Sequence, residues 1–232
     1  MKKLTTLFLA FSMVFFLSSC GSGDNNAEAD ASQEDPVAEM DSTASPDNQA
    51  AMSYQLDTAN SVMTWLSAKK LVDWKHNGTV GISEGSLALQ GSNITAGSFT
   101  IDMNTIGVSN IENPDKLTDF LGHMASDDFF SVATFPTASI VITGSQMVEG
   151  DSSSTYNVTG DLTIKGITNP ITFPVQLTLL TDVVKAKANF VIDRSKWEIK
   201  YDSESFFENL GDKVIKDEIE IGLDLVFTLQ AA

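Results

Sequence analysis

Between residues 156 and 179 the chain reads YNVTGDLTIKGITNPITFPVQLTL, with apolar side chains recurring at every second position. Val158, Leu162 and Ile164 share one parity, interrupted by Gly160, while Asn157, Thr159, Asp161, Thr163 and Lys165 take the other. Beyond a turn at ITNP, Ile171, Phe173, Val175, Leu177 and Leu179 resume the apolar parity against Thr172, Gln176 and Thr178. Successive side chains of a strand point to opposite faces, so this period builds strands with one wet and one apolar face. Any fold for this chain must give those apolar faces something apolar to meet.

The same pattern runs through most of what surrounds this stretch. Strands are predicted at 54–57, 62–70, 78–82, 86–90, 97–103 and 138–143, then at 184–193 and 219–229. Phe99, Ile101 and Met103 share one face of their strand; Ala186, Ala188, Phe190 and Ile192 share another, as do Ile221, Leu223, Leu225, Phe227 and Leu229. One amphipathic helix is predicted at 113–124, where Asn113 is placed to cap and Pro114 suits the first helical position. Leu117, Phe120, Leu121 and Met124 form its apolar stripe. A short helical turn follows at 126–132.

About eight or more short strands with turns between them make an all-β domain, an antiparallel sandwich or barrel. A sandwich buries its inner faces against a second sheet, whereas an eight-stranded barrel encloses them in its own lumen. The alternation alone fits both. A single helix covers too little area to sheath so many apolar faces, so the strands must mostly face one another.

Composition divides the chain before this domain begins. Residues 1–19 have Lys2 and Lys3, an apolar run over 4–17, then small residues, the three parts of a secretory signal. The run is short for a membrane span. It ends in LSSC, which resembles the lipobox of bacterial lipoproteins and implies that Cys20 is lipidated; the plain alternative is an ordinary cleaved signal. Cys20 is the only cysteine, so it has no disulfide partner in the chain. Residues 20–52 carry eight acids, no base and no aromatic residue, a composition that cannot build a core and reads as a solvated tether. Residues 53–232 are long enough for one well-buried domain. With 12 basic against 23 acidic residues there, a nucleic-acid partner is not expected.

Five stretches carry a family resemblance: YQLDTANSVMTW at 54–65, GSFTIDMNTI at 97–106, LGHMASDDFFSVATFPTASI at 121–140, YNVTGDLTIKGITNPITFPV at 156–175 and VIDRSKWEI at 191–199. In this order they resemble the YceI-like family of bacterial periplasmic polyisoprenoid-binding proteins, over almost all of the domain. The resemblance implies a lipocalin-like antiparallel barrel, with helical elements near one end, that binds long apolar molecules inside. It makes Val158, Leu162, Ile164, Phe173, Val175 and Leu177 lumen-facing, and Phe129, Phe130 and Phe135 an apolar wall or lid. Each of these is equally readable as ordinary core packing, as are Phe99, Ile101 and Met103.

Arg194, the only arginine, falls where the family shows a recurrent one. A guanidinium there suits a phosphate or carboxylate headgroup, or an ion pair with Asp193 or Asp161 that holds a barrel end. Asp127 and Asp128 are adjacent and so poorly placed to flank one bond; a capping role for Ser126 or Asp127 accounts for them better. His76 and His123 are the only histidines, and His123 with Asp127 has an i, i+4 spacing, but a metal needs more convergent ligands than this. No metal or other cofactor is expected, and no nucleophile elbow or phosphate-binding loop occurs.

These readings converge on a non-enzymatic, membrane-tethered envelope protein that carries or sequesters an isoprenoid or other long-chain amphiphile. Its anchor is Cys20, and Gly21-Ser22 in place of an aspartate favours the outer membrane, facing the periplasm. The alternatives are a β-sandwich scaffold or adhesion module with a dry core, and an envelope enzyme acting on a lipid held in the barrel. Cavity volume separates the first of these from a carrier.

Overall fold

The computed structural model describes residues 50–148 and 154–230. The signal segment and all but the last residues of the tether lie outside the described residues. Among the described residues nine strands form one sheet: β1 (Met52–Leu56), β2 (Val62–Ala68), β3 (Lys75–Gln90), β4 (Asn93–Asp102), β5 (Thr137–Met147), β6 (Thr155–Ile164), β7 (Ile167–Leu179), β8 (Val183–Asp193) and β9 (Glu218–Leu229). Every pairing is antiparallel, and the order β3-β2-β9-β8-β7-β6-β5-β4 returns to β3, so the sheet closes on itself. The two-faced strands therefore bury their apolar sides in one lumen, as in an eight-stranded lipocalin-like barrel.

The ninth strand fits because β1 and β2 share one place in the ring. Both lie between β3 and β9 and run antiparallel to each. The chain breaks between them at 57–61, where Asp57 Oδ1 accepts the N–H groups of Ala59 and Asn60 at 3.1 and 3.2 Å. Ser61 Oγ fills the gap in the ladder by accepting from Val226 N at 3.0 Å and donating to Val226 O at 3.4 Å.

Two sequence expectations change here. The turn expected at ITNP sits earlier, at Lys165-Gly166, whose φ angles of 52° and 72° suit the two-residue hairpin that pairs Ile164 with Ile167. Pro170 and Pro174 lie inside β7 because β8 pairs only with Val175 to Leu179, so the prolines stand where one side of the strand has no ladder. The strands expected at 78–82 and 86–90 are one strand, β3, bent by a register shift between Ile82 and Glu84.

Helix α1 (Pro114–Ala125) begins as expected, with Asn113 Oδ1 accepting Lys116 N at 3.0 Å. It belongs to the β4–β5 connection, and the long β8–β9 connection leaves the barrel at the same end. The opposite end has the β3–β4 and β7–β8 turns and the start of β1. Among the described residues the strands, the closure and the core lie within the compact unit Ser45–Ala232.

Candidate functional site

Inward side chains from the helix-end half of the barrel do not meet. Ile101 of β4, Ile140 of β5, Leu162 and Ile164 of β6, Ile192 of β8 and Ile221, Leu223 and Leu225 of β9 surround an apolar hollow with a void of about 140 Å³. Counted out to its mouth, including space open to solvent, the hollow reaches about 1320 Å³. Met63, Trp65, Val80, Ile82, Phe99, Met103 and Phe190 complete the wall. Almost all of the surface it presents is carbon, as strict alternation on closed strands dictates.

The floor is aromatic. Phe173 and Phe190 stack with centroids 4.4 Å apart, and Phe99 approaches Phe227 at 5.9 Å. Below them the lumen narrows to a second void of about 30 Å³ lined by Val158, Phe173, Val175, Leu177 and Phe227, among others. The structure thus divides the residues expected to line a lumen. Phe99, Ile101, Met103, Leu162, Ile164, Phe190, Ile192, Leu223 and Leu225 face the large hollow; Val158, Phe173, Val175, Leu177 and Phe227 pack the narrow half.

The mouth is built by segments outside the sheet. Phe120 and Met124 of α1 and Phe129 and Phe130 of the following turn border the hollow. Leu117 and Leu121, from the same helical stripe, are half-buried but do not line it, because only one edge of the helix faces the lumen. Phe135 stands elsewhere, its ring against the Gly166 turn. Trp74 comes from the β2–β3 connection, which offered no sequence signal for a site, and His76 from the start of β3. The His76 ring lies 4.3 Å from Trp74 and 4.6 Å from Phe120, tying that connection to the helix. Trp65 and Met63 were legible in principle, since they share the inward parity of β2.

Segment 106–109 returns along β3 after β4 ends, with Gly107 N donating to Thr79 O at 2.8 Å and Ser109 N to Asn77 O at 2.9 Å. Gly107 O receives the Trp65 indole N–H at 3.2 Å. A Cβ on Gly78 would stand 1.8 Å from this carbonyl oxygen, so only glycine admits the segment.

Arg194 lines the hollow but is 1% exposed, and its hydrogen bonds go to the chain. Nη1 donates to Ile199 O at 3.1 Å, Nη2 to Ile215 O at 3.2 Å and Nε to Lys216 O at 3.3 Å. Its ion pair is with Asp217, Nε to Oδ1 at 3.3 Å, rather than with Asp193 or Asp161. Burial lowers the guanidinium pKa, opposed by Asp217 and then by Asp202 and Asp193. Asp217 also accepts from Ser203 and Ser205 Oγ at 2.9 and 2.7 Å, so one buried network holds both arms of the β8–β9 connection. The connection starts as a short 3-10 turn, Arg194–Trp197, and Trp197 plugs the wall by donating to Leu162 O at 3.1 Å.

The carboxylates after α1 stay apart in role. His123 Nε2 lies 3.0 Å from Asp128 Oδ2 and not beside Asp127, because the helix ends at Ala125 and turns back. Ser126 Oγ accepts Asp128 N at 3.3 Å, so Ser126 is the residue that caps the turn. Among the described residues there is no cluster of three or more His, Cys, Asp or Glu side chains arranged to hold a metal ion.

Residues 54–227 match the model of the YceI-like domain family. A protein of Pseudomonas putida named UPF0312 protein is 33% identical over 111 residues, 44% of this chain and 53% of its own length. The chain thus spans about half the length of the curated relatives it matches. Among solved structures, Burkholderia cenocepacia BcnA superposes with a TM-score of 0.58 at 22% identity, covering 74% of this chain and 98% of that one. A polyisoprenoid binding domain from Saccharophagus degradans implicated in plant cell wall breakdown superposes with a TM-score of 0.55 at 15% identity, covering 77% and 99%. At these identities the two structures testify to the fold. Closed barrel, helix-end hollow and family match agree, and the chain belongs to the YceI-like domain family.

Proposed function

We propose that the barrel binds the hydrocarbon tail of an isoprenoid or another long-chain amphiphile, as a carrier or sequestering protein of the cell envelope. The observation that carries this reading is the hollow, apolar on nearly all its surface and open at one end. A void of about 150 Å³ lined by apolar side chains stays dry and takes up benzene; the void here, about 140 Å³, is of that size. It admits the end of a tail as it stands, and a longer one lies in the wider part towards the mouth. At about 25 cal/mol per Å², burying roughly 300 Å² of tail contributes about 7 kcal/mol before association and ordering costs. The relation to a fold that includes a polyisoprenoid binding domain points the same way.

A wall that offers almost only hydrocarbon supports non-covalent binding. Headgroup chemistry falls to the mouth, since Arg194 is engaged by Asp217 and three carbonyls. A scaffold with a dry, packed core is the weaker reading, because such a core has no use for an unfilled void at its centre. Lipidation of Cys20 would tether the barrel through residues 20–52, at the outer membrane on the strength of Gly21-Ser22. Palmitate labelling of the wild-type chain but not of Cys20→Ser tests the anchor.

Trp65 and Trp74 both border the hollow, whereas Trp197 is sealed in the wall. Titrating the unit Ser45–Ala232 with a brominated long-chain alcohol therefore quenches the two lumen tryptophans and spares Trp197. Saturable quenching at one equivalent, smaller in Trp74→Phe, is the predicted result. Equal, non-saturating quenching of all three would sink the proposal.

A further inference from the structure

Large apolar side chains face solvent at the end of the barrel that carries the mouth, as Met52, Met147, Leu179 and Leu180 do at the other. Leu71 and Val72 of the β2–β3 loop are 61% and 39% exposed, and Tyr201, Phe206 and Phe207 of the β8–β9 loop 37%, 40% and 50%. The loops form one surface. Lys70 N donates to Val214 O at 3.0 Å, and the Lys70 ammonium pairs with Glu204. Phe206 and Phe207 both donate their N–H groups to the carbonyl of Ser203, at 3.2 and 3.0 Å, so the turn that displays them is tied to the buried Asp217 network. Tyr201 carries the strip to the mouth, its ring 5.3 Å from Phe129 and 4.5 Å from His123.

We infer that this rim docks the mouth on a zwitterionic lipid bilayer, with Leu71, Phe206 and Phe207 entering the headgroup region. The inference rests on the reading of the lumen as a lipid-tail site and of Cys20 as an anchor. A tail that crosses water to reach the hollow is slowed about fourfold for each methylene exposed, and a mouth seated on the bilayer avoids that step. Lys69 Nζ lies 5.3 Å from the Trp74 ring centroid and Lys200 Nζ 5.2 Å from that of Phe206. Such stems lie on apolar surface with their charges at its edge, that of Lys200 also 3.4 Å from Glu198 Oε2. The excess of acids in the domain opposes an anionic surface, so adhesion rests on apolar insertion.

Chain length permits this geometry although β1 starts at the far end. The roughly 32 residues from Cys20 to Met52 span at most roughly 110 Å. The 11-residue strand β8 measures only about 36 Å along the barrel. Anchor and mouth can meet the same membrane.

Flotation of Ser45–Ala232 with phosphatidylcholine vesicles tests the inference, beside Trp quenching by the brominated alcohol on the same preparations. The wild-type unit is expected to float. Phe206→Ser/Phe207→Ser, and separately Leu71→Ser with Val72→Ser, should each lower partitioning by roughly tenfold with quenching unchanged. A wild type that floats but shows no quenching leaves docking standing and removes the lumen reading. Docking is overturned if rim variants float like wild type, or if wild type takes the tail yet stays off vesicles. It is equally overturned if the substitutions merely dissolve a dimer that never floats.

Discussion

Arg194 and Asp217 show how a charged pair can sit in the wall of an apolar lumen. The guanidinium lies against three carbonyls of the chain that crosses the barrel end, and Asp217 is shared between it and two serines. Lysine has no planar fork to reach those carbonyls together, so Arg194→Lys is expected to lower stability by about 2–4 kcal/mol in urea denaturation. Tail uptake by the folded fraction should survive; its loss would return Arg194 to the ligand site. Tyr201 supplies the pH response. Burial first, then Asp202 and Asp128, raises its phenol above the ordinary 10.0. A raised folded pKa means the contribution is complete below pH 10.0 and is lost as pH rises through the higher folded value. The alkaline fall in stability should therefore be shallower in Tyr201→Phe than in wild type. Of these residues only Arg194 was legible in the sequence as special; its partner lies 23 positions away across a connection with no periodicity, where pattern reading has nothing to hold.

The strands were legible because alternation is written residue by residue, and the helix because Asn113 and Pro114 mark its start. The ITNP turn misled because proline usually interrupts a strand, and whether a strand has a neighbour on both sides is a tertiary fact. Segment 106–109 was equally hidden: it has no period of its own and is defined by what Gly78 leaves room for. Gly78→Ala sets a Cβ 1.8 Å from Gly107 O, a backbone clash that no rotamer relieves. A cost of about 3 kcal/mol is expected in thermal or urea unfolding, with loss of slow hydrogen exchange at Gly107 and Ser109. An unfolding midpoint within experimental scatter of wild type would mean that this segment does not pack against Gly78.

Closure of the barrel is a property of the whole chain. Alternation dictates that apolar faces meet, and it is silent on whether they meet across two sheets or around one lumen; β9 pairing with β2 decides this through contacts far apart in sequence. The same limit applies to the site. Leu162 and Val158 share a strand and a parity, yet one borders the large hollow and the other packs the narrow half beneath the phenylalanines. Filling the hollow should separate binding from folding. Ile140→Trp places added volume in the void of about 140 Å³. It should cost no more than about 1–3 kcal/mol in stability and reduce tail uptake at least tenfold.

If the hollow holds a lipid tail in the cell, the contents of the purified protein reveal it without any choice of probe. The unit Ser45–Ala232, produced in a bacterial host and purified without detergent, is extracted into organic solvent and the extract weighed by mass spectrometry against protein. An isoprenoid or other long-chain compound is expected at close to one per chain, recovered chemically unchanged and absent from Ile140→Trp. An empty extract, together with failure to take up added isoprenoid, would contradict it and leave a barrel whose hollow serves no lipid.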